Sequence, residues 1–90
     1  MPHLSSAHRR VLLALAGGWA LKAHRDIEGR KVFQLHHSDG RTEPVGWDVA
    51  EYLAEHGLID SNKKFPAATF WLTEGGKVVV AELSRDSSTN

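Results

Sequence analysis

The sequence predicts a single α+β domain, and three observations predict it. Apolar residues three and four apart mark helical stripes near residues 8–15 and 45–56. Short runs rich in aromatic and branched residues, at 19–25, 32–37, 58–59 and 70–72, read as strands. Glycines or polar turn residues separate these stretches, and 90 residues are enough for one small core.

In the first helix, Ser5 or Ser6 serves as the cap and Leu4 as a staple on the first turn. His8, Val11, Leu12 and Leu15 form its stripe, Arg9 and Arg10 lie off the stripe's centre, and Gly17-Gly18 stops it. Trp19, Leu21 and Ala23 then alternate with Ala20, Lys22 and His24, as on a strand with one buried face. Phe33 and Leu35 mark the apolar face of a second strand. Asp26 to Arg30 joins the two, with Gly29 supplying a positive φ, so the pair reads as a β-hairpin with a loop of about five residues. Ser38 to Arg41 is a turn, and Thr42 is expected as an early cap for the second helix, with Glu43 and Pro44 in its first turn.

The second helix carries Val45, Val49, Tyr52, Leu53 and His56 on one stripe, leaves Asp48, Glu51 and Glu55 in water, and ends at Gly57. Leu58-Ile59 reads as a short buried strand with Phe70, Trp71 and Leu72 as its partner. Asp60 to Ala68, with Lys63, Lys64 and Pro66, is the loop between them. Thr73 is placed to cap a last helix that opens on Glu74. Val78, Ala81 and Leu83 are expected inward, and Val79 and Val80 spread apolar surface around this helix, which suggests a homodimer contact. Residues 1–84 then form the domain, and 85–90 a disordered polar tail. The predicted order is helix, strand, strand, helix, strand, strand, helix. Its second half is laid out as in a winged-helix domain, an analogy of fold that fixes no function.

Eleven basic residues balance eleven acidic ones, so any polyanion surface must come from local segregation of charge. The absence of cysteine excludes disulfide and thiol chemistry. No run approaches the roughly 20 apolar residues of a membrane span, and Val11 to Ala16 is too short for a secretory core, so a cytoplasmic location is expected.

A family resemblance spans nearly the whole chain. Its residues are Leu4-Ser5, Arg10-Val11-Leu12, Leu15-Ala16-x-Gly18, Arg25-Asp26-x-x-Gly29 and Asp39-Gly40. They continue with Val49, Leu53, Leu58-Ile59-x-Ser61, Pro66, Thr73-x-x-Gly76 and Val80-Ala81-x-Leu83. In these the chain resembles the YjhX type of small bacterial proteins, toxin-like inhibitors of DNA topoisomerase I. The resemblance implies a protein target of that kind. It departs in the second helix, lysine-rich in that family but bearing Asp48, Glu51 and Glu55 here.

Two functional readings follow from the residues. From Gly46 to Gly57 there are three acids and no Lys or Arg. Phosphate neutralisation supplies most affinity for DNA, so this helix is not expected in a major groove. The basic groups gather on the hairpin and its flanks: Lys22, His24, Arg25, Arg30, Lys31, His36, His37 and Arg41, extended by Arg9, Arg10, Lys63 and Lys64. The first reading is a nucleic-acid-associated regulator using that surface, set against ordinary solubilising charge. The second is a protein-interaction module that docks through Trp47, Glu51, Glu55 and Trp71. Phe65, Phe70, Trp71, Trp19 and Trp47 cannot all be internal in so small a domain, and Phe70 and Trp71 must face opposite ways on a strand. His24 and His36 could meet across the hairpin, but no third ligand is evident, so neither a metal nor a cofactor is expected. No catalytic motif is present either, and no enzymatic activity is expected.

Overall fold

Local capping starts the chain's order. The Ser5 hydroxyl accepts from the His8 N–H, and the His8 ring accepts from the Ser5 N–H, a reciprocal box at the head of α1 (Ser6–Ala16). The computed structural model describes residues 4–62 and 68–88, with side chains through 85. After α1 come β1 (Ala20–Arg25), β2 (Lys31–His36), β3 (Thr42–Val45), α2 (Trp47–Glu55), β4 (Ile59–Ser61), β5 (Ala68–Leu72) and α3 (Glu74–Ser88). Pro66, Phe65, Lys63 and Lys64 lie outside the described residues.

The strands form one antiparallel sheet in the order β3-β2-β1-β5-β4. Leu21 pairs with Leu35 and Ala23 with Phe33, so these four side chains share a face, and all four are buried. Val11 and Leu12 of α1, Ala50 and Leu53 of α2, and Val79 of α3 pack into the same core. All three helices therefore cover one side of the sheet. The alternate residues, Lys22, His24, Gln34 and His36 among them, line the side that the described residues leave uncovered.

Three differences from the sequence reading have physical causes. Thr42 to Val45 is a strand rather than the opening of a helix. It pairs with β2, Val45 packs on the core, and Glu43 binds Arg10 of α1. The His37 N–H donates to the Arg41 carbonyl, so by alternation Thr42 and Pro44 turn their peptide groups away from β2. The missing N–H of Pro44 thus falls on the free edge, where a strand tolerates proline. The α2 helix starts later than expected, on Gly46, without a side-chain cap, and Val45 leaves its stripe. Ala50 joins Leu53 as its buried residue, and His56 is exposed.

The second difference is the phase of α3. Val78, expected inward, is 59% exposed and Ala81 is exposed, while Val79 is buried and Val80 and Leu83 pack on the core. Gly76 sets this phase, because it is buried against Leu58 and leads the i, i+3, i+4, i+7 series 76, 79, 80, 83. The third is length: β4 reaches Ser61, β5 begins at Ala68, and α3 continues to Ser88, past Arg85, where a tail was expected to begin.

Candidate functional site

Antiparallel register decides which cations of the first hairpin stand together. Lys22 is opposite Gln34, His24 opposite Val32, and His36 opposite Ala20, all on the uncovered face. On β5, Thr69 is paired with Lys22, and Trp71 follows two residues on, 46% exposed. The flanking β3 contributes Thr42 and Pro44. Of the carboxylates at outward register positions among the described residues, there is only Asp60, on the edge strand opposite Trp71. Lys22 has no carboxylate partner among the described residues.

The other basic residues of the hairpin and its flanks do not join this face among the described residues. Arg25 and Lys31 pair with each other one register step beyond His24 and Val32, on the helix-covered side. The Arg25 guanidinium donates to the Gly29 carbonyl at 2.7 Å, and the Lys31 ammonium lies 5.9 Å from the Phe33 ring centre. Arg30 is held by Glu28 at 2.8 Å and Asp26 at 3.6 Å. Asp26 caps the hairpin loop by accepting from the N–H groups of Glu28 and Arg30. The Arg30 N–H, before the other groups around it, holds the Asp26 carboxyl below its ordinary range.

Arg41 and His37 converge on Asp39. The Arg41 N–H and guanidinium donate to the carboxylate at 2.9 and 2.7 Å, and His37 Nδ1 is 2.8 Å away. Led by the Arg41 N–H, these contacts push the Asp39 carboxyl down to about 2. Arg10 donates from Nε to Glu43 at 2.6 Å in a two-pronged pair, which lowers the Glu43 carboxyl and raises the Arg10 guanidinium. Arg9 is exposed on α1, away from the sheet's uncovered face. Lys63 and Lys64 lie outside the described residues. Of the eleven expected contact residues, three stand on one face, four (Arg10, Arg25, Arg30 and Arg41) are tied to acids or backbone, and two lie outside the described residues.

Trp47, Glu51 and Glu55 fall at i, i+4, i+8 on α2, all exposed, with Trp47 at 63%. Lys31 and Phe33 join Glu51 and Glu55 along a cleft of about 220 Å³. Trp71 lies on another part of the molecule, lining a hollow with Trp19 and Ala20. The four expected docking residues therefore form two separate places. Phe70 turns inward, its ring centre 5.8 Å from that of Phe33, and packs on the core.

His24 and His36 are on the same face but pair with different residues four positions apart. No group of three or more His, Cys, Asp or Glu among the described residues is arranged to hold a metal ion. No described helix is long and apolar enough to cross a membrane. Comparison with protein-family models, curated proteins and solved structures finds no match for this chain.

The share of Gln34 and Thr69 in this face escaped the reading of the sequence. Their signal was the period-two alternation itself, which places each beside a named cation once the register is known.

Proposed function

We propose that this chain is a small, non-enzymatic, nucleic-acid-associated regulator of the cytoplasm that contacts its ligand through the uncovered face of its sheet. One observation carries the reading: Lys22, His24 and His36 share that face, and Asp60 on the edge is its lone carboxylate among the described residues. On a neutral chain this is the segregation of charge that a polyanion needs. In a winged-helix reading α2 would take the recognition position. Its Asp48, Glu51 and Glu55 repel phosphate, which makes the sheet the better surface.

Retention on immobilised single-stranded and duplex DNA and RNA, measured against salt, tests this. Lys22→Glu should abolish retention at about 50 mM salt. Arg30→Glu and Arg41→Glu should alter it little, because those cations already face Glu28, Asp26 and Asp39. Retention unchanged in Lys22→Glu would remove the ground for the proposal.

A second reading, a protein-interaction module of the topoisomerase-inhibitor kind, is favoured by Trp47. Its exposed indole heads the acidic stripe of Glu51 and Glu55, the composition of an aromatic anchor with a charged rim. A complex recovered from cell extract and lost in Trp47→Ala, with no nucleic-acid retention, would replace the first reading by this one.

A further inference from the structure

Resting on the sheet-face reading, we infer that the ligand is an unpaired strand, one base of which stacks on Trp71 over Ala20. The register supplies the geometry. Leu21 pairs with Phe70, so one step on, Ala20 stands between Trp71 of β5 and His36 of β2. Strands lie about 4.8 Å apart, which sets the two rings roughly 10 Å from each other across a methyl group. Trp71 is 46% exposed, so its indole offers a free surface to an aromatic ring. Lys22 and Gln34 occupy the next row along the sheet, where the first meets a phosphate and the second a base edge or sugar.

A duplex does not fit this arrangement. Its bases are stacked on one another, so an indole reaches no base face. Its major groove admits a helix or a two-stranded ribbon. Here α2 is acidic, and the tip of the β1–β2 ribbon carries Asp26 and Glu28 against Arg30. With bases splayed, the flat face is a stacking platform flanked by a cation, the arrangement by which proteins hold single strands with little sequence preference.

The experiment is fluorescence anisotropy with labelled thymidine and uridine oligomers of about ten nucleotides and a mixed-sequence duplex of equal length, at about 50 mM salt. The single strands should bind and the duplex should bind more weakly. Trp71→Ala should weaken single-strand binding roughly tenfold, and Trp71→Phe should restore most of it. Equal or tighter duplex binding, or single-strand affinity indifferent to Trp71→Ala, overturns the inference. If Lys22→Glu still abolishes that binding, the sheet-face reading survives. No binding of any oligomer overturns both. Circular dichroism verifies that Trp71→Ala folds. If it does not, His36→Ala, which removes the opposite wall, should give the loss instead.

Discussion

A Cβ placed on Gly76 would stand 2.1 Å from the carbonyl oxygen of Leu58. That contact seats the first turn of α3 on the chain between α2 and β4. Replacing Gly76 by Ala forces backbone apart and should cost about 2–3 kcal/mol. Gly75, whose added Cβ would meet nothing nearer than 3.4 Å, should accept Ala with no loss, or gain up to about 1 kcal/mol from helix propensity. Urea denaturation of the two variants distinguishes them, and equal midpoints would refute the seating.

Thr73 ties the same junction by a second route. Its hydroxyl donates to the Gly57 carbonyl and accepts from the Gly76 N–H at 3.1 Å. Thr73→Ala should lose about 1–2 kcal/mol, a cap and a hydrogen bond together, whereas Thr73→Ser keeps both and should lose much less. Thermal melting of the pair checks this.

The face of α3 gives a third prediction. Val78→Asp should shift stability by no more than about 0.5 kcal/mol in a monomer, since the side chain is exposed. Val79→Ala should cost about 2 kcal/mol, because it empties a place in the core. Sedimentation adds the quaternary test: a dimer dissociated by Val78→Asp would place Val78 in a contact between copies.

Acid should act through Asp39. Its folded carboxyl titrates at about 2, below the ordinary 3.8, so the folded state favours the ionised form. That contribution is complete above about pH 4 and is lost as pH falls from there through about 2. The side-chain carbon shift of Asp39, followed by NMR, should show its midpoint near 2. A midpoint near 3.8 would mean that Arg41 and His37 do not hold the turn in solution.

Much of the fold was legible because local chemistry agreed with it. The Ser5 cap, the strand alternation around Leu21 and Ala23, the five-residue loop with Gly29 and the Thr73 cap all follow from short-range patterns, and each is present. The start of α2 was not legible. Thr42-Glu43-Pro44 suits a helix's first turn and an edge strand equally, and only the free edge of β2 chose between them. The phase of α3 was missed for a related reason: a glycine carries no hydropathy, yet Gly76 is the residue that packs closest.

The same division holds for the candidate site. By itself the sequence determined that charge balances overall, that α2 is acidic and that the hairpin is rich in cations, since these are matters of composition and local order. Only the tertiary structure decided that Lys22, His24 and His36 stand on one open side with Trp71, while Arg10 of α1 is neutralised by Glu43 of β3. The physical reason is that pairing register and long-range ion pairs join residues far apart in the chain, and no local pattern encodes which partners will meet.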